Sequence, residues 1–141
     1  MESCVLCAGP AGEVVWQDER CRVQRVGDPD YPGYCRVVWN EHVREMTDLS
    51  ATDRRHLMAV VFAVEAALRA LTRGAKINLA SFGNQVPHLH WHVIPRVAGD
   101  RHFPNPIWGS AGTLADAVAL PVDRDALRRG IVEALAEEQG G

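Results

Sequence analysis

The sequence predicts one domain that mixes about five β-strands with one long and one shorter α-helix. Short alternating apolar segments occur in neighbouring pairs separated by polar turns, as in β-hairpins. One long segment carries apolar residues at three- and four-residue steps, as in a helix. The chain has 141 residues, of which 47% are hydrophobic. This length suits a single domain with a real core.

The first half is predicted to contain three strands, over residues 13–17, 21–26 and 34–39. The first two flank the polar turn 18–20, which indicates a hairpin. Residues 27–33 are dense in Gly, Pro and Asp and form a loop. The third strand is rich in β-branched and aromatic residues and ends at Asn40-Glu41-His42.

A long helix is predicted next. Ser50 and Asp53 have the spacing of a capping box, and Gly74 is a candidate C-cap. His56 lies in this helix, and we expect it to be a partly exposed surface residue. One apolar stripe runs along the helix at Leu57, Val60, Val61, Val64, Leu68 and Leu71.

The second half is predicted to form another hairpin, an arm and a final helix. Residues 75–81 and 88–94 are strand candidates across a short polar connection. Residues 101–108 hold two prolines and two aromatic residues, which indicates an ordered extended arm. Asp123 is a candidate cap for a helix whose apolar stripe is Leu127, Ile131 and Leu135.

Three histidines alternate with apolar residues in the second strand of that hairpin. Strand side chains alternate between faces, so His88, His90 and His92 are expected to share one face. Imidazole can be a base, a nucleophile or a metal ligand at neutral pH. A solvated face that carries histidines by chance is the alternative, but half of the chain's six histidines lie within five residues.

These residues suit attack on phosphorus, because a neutral imidazole nitrogen can add to phosphorus and leave again. Histidines two residues away on the same face can donate protons to the phosphate. Asn84 and Gln85 precede the strand and offer amide donors, and Gly83 allows the backbone to approach a ligand closely. The sequence lacks a P-loop, so a kinase-type phosphate cradle is not indicated.

A metal centre made by the three histidines is the competing interpretation. Cupin-like sites need a Glu a few residues beyond the His-x-His pair, and residues 91–96 contain none. His88 and His92 would also lie about 13 Å apart along an extended strand. We therefore rank phosphorus chemistry first.

Charge and hydrophobicity limit the kinds of partner and the cellular compartment that we expect for this chain. The formal net charge is -3 with no long run of one sign, so neither a nucleic acid nor a membrane is an expected partner. No apolar run approaches a membrane span and the N-terminus lacks a signal-peptide pattern, so we expect a cytoplasmic protein. The four cysteines are therefore expected to be reduced or metal-bound.

Cys4 and Cys7 form a Cys-x-x-Cys knuckle that can place two thiolates on one ion. Alone, this is half of a tetrahedral site, and two buried or idle cysteines are the alternative. Cys21 and Cys35 fall on predicted strands and are expected to be core residues.

With these residues assembled, the chain resembles the histidine triad (HIT) family of nucleotide hydrolases and transferases. The family signature is His-φ-His-φ-His-φ-φ, with φ apolar, and residues 88–94 fit it throughout. The Cys-x-x-Cys knuckle, Asn40-Glu41-His42, the long helix, Asn78 and the Gly83-Asn84 turn fit as well. Residues 86–96 resemble a bacterial branch of the family.

The resemblance implies an α+β fold: an antiparallel sheet of about five strands with the long helix packed on it, and a C-terminal helix. Residues 1–141 would form a single HIT domain, with its core at 4–108 and a C-terminal extension at 109–141. A homodimer whose two sheets join through the subunit interface is also implied.

The resemblance also implies roles for single residues. His90 would be the nucleophile that attacks the α-phosphorus and forms a nucleotidyl-histidine, which water or another acceptor cleaves. His88 would orient this nucleophile and His92 would contact the phosphate. Asn78 matches a polar residue on the preceding strand, and we expect it to bind substrate.

Several positions depart from the family pattern. Asn84 stands where many members have Gln, and Gln85 where Ser or Thr is common, so we expect both to bind substrate but leave the leaving-group preference open. Tyr34 replaces a histidine after the Pro-Gly turn, so it is a weak site candidate, and strand packing is the role that we expect first. Trp108 and its arm are expected to close over the nucleotide or a dimer partner, or simply to pack.

Some HIT members bind structural zinc at positions that correspond to Cys4, Cys7, His42 and His88. Such a closed Cys₂His₂ site would tie the N-terminus to the catalytic strand. No organic cofactor is expected.

The resemblance implies a nucleotide hydrolase or nucleotidyl transferase that cleaves at the α-phosphate of a purine nucleotide derivative. Dinucleoside polyphosphates and nucleoside phosphoramidates are the leading substrate classes. A nucleotide-binding or regulatory module with little turnover is the alternative.

Overall fold

The computed structural model describes residues 4–9, 12–112 and 120–140. A 3₁₀ turn at Met46–Asp48 precedes the first helix. None of the helices in the described ranges is long and apolar enough to cross a membrane. The strands and helices in chain order are β1 (Glu13–Gln17), β2 (Cys21–Arg25), β3 (Cys35–Trp39), α1 (Ala51–Leu71), β4 (Lys76–Ala80), β5 (His90–Arg96) and α2 (Arg124–Gly140).

The strands form a five-stranded sheet in the order β1-β2-β3-β5-β4, with every neighbouring pair antiparallel. Both predicted hairpins are present, because β1 pairs with β2 and β4 pairs with β5. The predicted α+β class is confirmed. Strand β5 lies between β3 and β4, which brings the histidine segment beside the strand that follows the Pro-Gly turn.

Helix α1 begins where its capping signal predicted. Ser50 is the N-cap, and its Oγ accepts a hydrogen bond from the Asp53 backbone N–H at 3.1 Å. The α1 stripe faces the sheet and is buried as far as Leu68, whereas Leu71 is partly buried. Each such aliphatic side chain contributes roughly 1.5–3 kcal/mol to folding.

Helix α2 completes the same core. Its stripe of Leu127, Ile131 and Leu135 is buried against α1, and its cap is Asp123, which accepts from the Ala126 N–H at 2.9 Å. The predicted core cysteines, Cys21 and Cys35, are fully buried. Burial raises the pKa of Cys35 to about 12, so this side chain remains a thiol.

The expectation that His56 is partly exposed was wrong. Only 8% of this residue is exposed, and its Nε2–H donates to Asp18 at 2.7 Å. Asp18 lies in the β1–β2 turn, where its other oxygen accepts from the backbone N–H groups of Arg20 and Cys21. The turn therefore folds against α1 and covers a histidine that a helical pattern alone places at the surface.

The sheet face opposite the helices is covered by two smaller apolar clusters. The N-terminal knuckle contributes Cys4 and Leu6, which pack on Val38 with Val86 at their edge. A second cluster joins Tyr31, Tyr34 and Ile94, with Val26 and Ile107 against it. Because adjacent strand residues face opposite sides, Val38 and Ile94 mark this as the outer face, and the triad histidines lie between the two clusters.

A buried ion pair fixes the arm beside the second cluster. Arg96 and Asp100 are 3% and 6% exposed, and the Arg96 Nε–H donates to Asp100 at 2.7 Å. A second guanidinium N–H donates to the Asn105 carbonyl at 2.7 Å. This pair ties residues 97–108 to the end of β5.

Candidate active site

The three triad histidines do not all share one strand face. Strand β5 begins at His90, two residues later than predicted, so His90 and His92 lie on its outer face. His88 precedes the strand, since its backbone N–H donates to Val86 and its ring turns towards the N-terminal knuckle. The segment therefore separates into two cavity histidines and one fully buried histidine.

His90 is held with one ring nitrogen free. Its Nδ1–H donates to the backbone carbonyl of His88 at 2.6 Å, which leaves the Nε2 lone pair unprotonated. Burial lowers the pKa of His90, the hydrogen bond to His88 opposes that shift, and the charge of Arg36 adds to it. At neutral pH this imidazole is therefore a neutral nucleophile.

His92 is held in the opposite tautomer by Tyr34. The Tyr34 hydroxyl lies 2.8 Å from Nδ1 of His92. Burial raises the pKa of Tyr34, so the phenol keeps its proton, and this O–H donates to Nδ1, the acceptor that lies beside it. Burial, with the charges of His90 and Arg36, lowers the pKa of His92 to about 4. The Nε2–H of His92 is consequently a neutral hydrogen-bond donor.

The expected role of Tyr34, strand packing, was therefore incomplete. The ring does pack in the cluster with Tyr31 and Ile94. Its hydroxyl, however, lies in the site and contacts a triad histidine. The residue that replaces the family's histidine supplies a hydrogen bond at that position.

A cavity of about 410 Å³ opens over His90 and His92. This volume lies within the roughly 300–1,000 Å³ of small-molecule sites. Asn84 and Gln85 line it, as does Gly83, whose φ of 77° suits glycine at this turn. The full lining is Val5, Leu6, Tyr34, Arg36, Phe82, Gly83, Asn84, Gln85, Val86, His90, His92 and Trp108.

Two exposed aromatic rings form one wall of the cavity. Phe82 and Trp108 are 58% and 49% exposed, and their ring centroids are 4.9 Å apart. The Trp108 ring also lies 4.7 Å from the His92 ring in an edge-on contact. The arm that Arg96 holds therefore positions Trp108 beside His92 in the cavity.

Asn78 lies on the same sheet face but outside the cavity lining. It pairs with Ile94, two residue pairs from the pair that contains His92. Its Oδ1 accepts a hydrogen bond from Arg96 at 2.9 Å. In this geometry Asn78 supports the residue that holds the arm.

Arg36 and Phe82 are site residues that the sequence reasoning missed. A signal for Arg36 was present, because it is the one charged side chain in the apolar segment 35–39. The sequence pattern does not show that β3 pairs with β5, and it is this pairing that places Arg36 opposite His92.

The predicted metal residues converge beside the cavity. The ligand atoms of Cys4, Cys7, His42 and His88 all lie within 4.8 Å of one another. Sulfur–nitrogen distances are 3.5 Å from Cys4 to His88, 3.4 Å from Cys7 to His88 and 3.2 Å from Cys7 to His42. Two thiols and two imidazoles form the donor set of a closed tetrahedral zinc site.

The ring of His88 is oriented as a metal ligand requires. The His88 Nε2–H donates to the Trp39 carbonyl at 2.6 Å, so its Nδ1 lone pair faces the two sulfurs. Burial would raise the pKa of Cys4, but hydrogen bonds from Cys7 hold it below its ordinary value, which favours a thiolate. A centre made by all three triad histidines is not supported, because their rings have three different sets of partners.

Comparison with known proteins gives consistent matches. A family model described as HIT domain matches residues 10–99, well over half of the chain. The AP-4-A phosphorylase of Mycobacterium tuberculosis (strain H37Rv) is 32% identical over 88 residues, 58% of this chain and 45% of that protein. The chain thus spans less than half the length of this curated relative.

Solved structures agree over more of the chain. A histidine triad protein from Sinorhizobium meliloti 1021 has a TM-score of 0.67 and 28% identity, and the match covers 87% of this chain and 89% of that one. A zinc-bound histidine triad family protein from Mycobacterium smegmatis has a TM-score of 0.59 and covers 99% and 97%. Its identity is 24%, so this second likeness is one of fold alone.

Proposed function

Because the chain belongs to the histidine triad (HIT) family, we propose that it is a nucleotide hydrolase or nucleotidyl transferase acting at the α-phosphorus of a purine nucleotide derivative. One observation carries this proposal. The Nε2 lone pair of His90 is free at the floor of a cavity, while Nδ1–H is fixed by the His88 carbonyl. Such an imidazole is set for in-line attack on phosphorus.

The first step transfers the nucleotidyl group to His90. Its Nε2 bonds to the α-phosphorus as the bond from phosphorus to the leaving group breaks, and that bond's electron pair departs with the leaving group. The attack places a positive charge on the ring, which the His88 carbonyl stabilises through its hydrogen bond to Nδ1–H. His88 therefore orients the nucleophile through its backbone.

Water or another acceptor completes the reaction. When water is the acceptor, its oxygen bonds to phosphorus and releases a proton to the solvent, the P–Nε2 bond breaks with its electron pair returning to Nε2, and His90 becomes neutral again. The Nε2–H of His92 and the amides of Asn84 and Gln85 are assigned to the non-bridging phosphate oxygens, because they line the same cavity. Asn78 is assigned an indirect role through Arg96.

Dinucleoside polyphosphates and nucleoside phosphoramidates are the proposed substrate classes. The Mycobacterium tuberculosis relative is an AP-4-A phosphorylase, and 88 residues match it at 32% identity. That name supports the first class and makes inorganic phosphate, as well as water, an acceptor to test.

The proposal is tested by incubating the protein with a fluorogenic adenosine phosphoramidate and with diadenosine polyphosphates, with and without inorganic phosphate. His90→Gln is expected to lower kcat/KM by at least about 10³-fold, because no other side chain supplies the nucleophile. His56→Gln is the matched control, since it changes a histidine that contacts Asp18 and does not line the cavity. An acid-labile adduct on His90 is expected by mass spectrometry after rapid quenching.

Two results would contradict the proposal. Equal turnover by the His90→Gln variant would exclude this histidine as the nucleophile. Tight nucleotide binding without turnover of either substrate class would favour the nucleotide-binding module.

We also propose that Cys4, Cys7, His42 and His88 hold a structural zinc ion. The convergence of their ligand atoms and the hydrogen bond from His88 to Trp39 support this assignment. A bound ion would fix the N-terminal knuckle against the segment that presents the His88 carbonyl to His90.

Metal analysis tests the zinc assignment on protein purified without added metal. About one equivalent of zinc is expected, with a large loss of metal in Cys7→Ser and none in Cys35→Ala, whose thiol lies in the core. Less than about a tenth of an equivalent, with an unchanged melting temperature after chelation, would remove the assignment.

A homodimer is proposed as well. In the described sheet β4 is an edge strand, and its Leu79 is 38% exposed. Phe62 on α1, which packs against β4, is 41% exposed. Analytical ultracentrifugation is expected to give a dimer mass that Leu79→Lys lowers, whereas a monomeric mass at micromolar concentration would refute it.

A further inference from the structure

Arg36 places a single positive charge on one side of the cavity. Among the lining residues, all in the described part of the chain, Arg36 is the only Lys or Arg, and none is Asp or Glu. Asn84 and Gln85 are neutral donors, so Arg36 is the one permanently charged side chain among these lining residues. A negatively charged substrate therefore meets one cationic partner among these residues.

The position of Arg36 is to one side of the nucleophile. In the β3–β5 register Arg36 is opposite His92, whereas Val38 is opposite His90. Directly opposite residues share a face with Cβ atoms roughly 4.5–5.5 Å apart. The Arg36 side chain therefore starts beside His92, and it lines the same cavity as His90 and His92. Arg36 therefore lies two residue pairs from the pair that contains His90, at the next position on the same sheet face.

A leaving phosphate fits this position. In a phosphoanhydride the leaving group is joined to the α-phosphorus by one bridging oxygen. When that P–O bond breaks, the electron pair stays on the bridging oxygen and the leaving phosphate gains a negative charge. A guanidinium stabilises this developing charge more than it stabilises the substrate, which speeds the step. An amine leaving group develops no such charge and takes up a proton instead.

We propose that Arg36 binds the phosphate of the leaving group, so that the site distinguishes substrates by the charge next to the reacting phosphorus. The inference rests on the proposed attack by His90 for the position of that phosphorus. The exposed rings of Phe82 and Trp108, which adjoin His92, offer a stacking surface to a base carried by the leaving group.

Calorimetric titration of the full chain with AMP and ADP tests the inference without turnover. ADP is expected to bind the unmodified protein about 10- to 100-fold more tightly than AMP, because its β-phosphate meets Arg36. Arg36→Gln is expected to bring this ratio close to one, and Arg36→Lys to retain part of it. Arg101→Gln is the matched control, since it removes the same charge from an exposed side chain on the arm.

Kinetics give a second readout. Arg36→Gln is expected to lower kcat/KM about 10- to 100-fold for a diadenosine polyphosphate and less than about threefold for an adenosine phosphoramidate. Arg36→Lys is expected to recover much of the first loss. Melting temperatures of all variants establish that the fold is intact.

Three results would overturn the inference: an ADP-to-AMP ratio near one in the unmodified protein, a ratio unchanged in Arg36→Gln, or equal losses with both substrates. Failure of the proposed function is distinguishable from these. If neither substrate is turned over but the preference for ADP depends on Arg36, the hydrolase proposal fails and the role of Arg36 in binding phosphate is supported.

Discussion

The hydroxyl of Tyr34 can be removed without removing its ring, which makes Tyr34→Phe a sharp test of how His92 is held. The ring of Tyr34 is 4% exposed and packs with Tyr31 and Ile94, and phenylalanine preserves this packing. The substitution deletes only the donor at 2.8 Å from Nδ1 of His92. Nδ1 then lacks the partner that fixes the tautomer with a proton on Nε2.

The size of the effect follows from that one contact. Leaving a buried acceptor unsatisfied costs about 1–3 kcal/mol. Part of this cost is recovered when His92 adopts the other tautomer, which no longer offers Nε2–H to the phosphate. A net loss of about 1–2 kcal/mol in the transition state corresponds to about a 5- to 30-fold decrease in kcat/KM. Because the phosphate contact proposed for His92 is common to both substrate classes, the decrease is expected to be similar for polyphosphates and phosphoramidates.

The assay pairs steady-state kinetics with ¹⁵N NMR of the histidine side chains, which reports the tautomer directly. Tyr31→Phe is the matched control, because its hydroxyl contacts Asp100 and His102 and not the triad. Tyr34→His is expected to restore part of the rate, since a ring N–H can donate to the same nitrogen. If Tyr34→Phe leaves kcat/KM within twofold and the His92 tautomer unchanged, the reasoning about this hydrogen bond is refuted.

Three further predictions concern stability, each measured by urea unfolding. Burial would raise the pKa of Asp18, but hydrogen bonds from the backbone and from His56 outweigh it and hold this pKa below its ordinary value. The contribution of the Asp18 carboxylate to the free energy of unfolding is therefore complete above pH about 4 and is lost as the pH falls through the folded pKa. Asp18→Asn is expected to make the free energy of unfolding depend less on pH in this acid range. Asp100→Leu leaves the buried Arg96 charge unpaired and is expected to cost about 3–5 kcal/mol, unlike the double variant with Arg96→Met; equal costs would contradict this. Gly33→Ala is expected to cost about 2–3 kcal/mol, because φ is 85° and a Cβ would lie 2.8 Å from Val122, and a neutral result would refute the clash.

Local signals were sufficient for most of the fold. Ser50 caps α1 because its side chain reaches the Asp53 N–H, an interaction that lies within four residues. The stripes of both helices are buried because helical spacing alone puts their side chains on one face. Alternation likewise placed His90 and His92 on one face of β5.

Residues whose environment depends on distant segments were not predicted correctly. His56 is buried by Asp18, which is 38 residues away in the chain. His88 was expected in the strand, but the Leu89 N–H donates to the Val43 carbonyl, so the chain enters the sheet two residues later. Neither contact leaves a periodic signal, because each joins a turn or loop to a remote element.

The order of the strands explains why Arg36 was missed and why packing was preferred to a site role for Tyr34. Strand β4 precedes β5 in the chain and pairs with it as a hairpin, which a sequence pattern can suggest. The pairing of β3 with β5 spans the whole of α1 and β4, and alternation says nothing about it. Only that pairing turns a buried tyrosine and a strand arginine into neighbours of His92.

The residues on the two faces of the sheet therefore differ in how well a sequence pattern predicts them. The face under the helices needs only apolar side chains at regular spacing, which is why its residues can be read from a pattern. On the outer face, irregular segments form the walls of the cavity, and a polar cluster holds each segment. The knuckle is held by Cys4, Cys7, His42 and His88, and the arm is held by Arg96 and Asp100. His88 belongs to both wall and site, because its ring faces the cysteines while its carbonyl holds His90. A change at Cys4 or Cys7 can for that reason reach the nucleophile through His88, in addition to any effect on Val5 and Leu6, which line the cavity themselves.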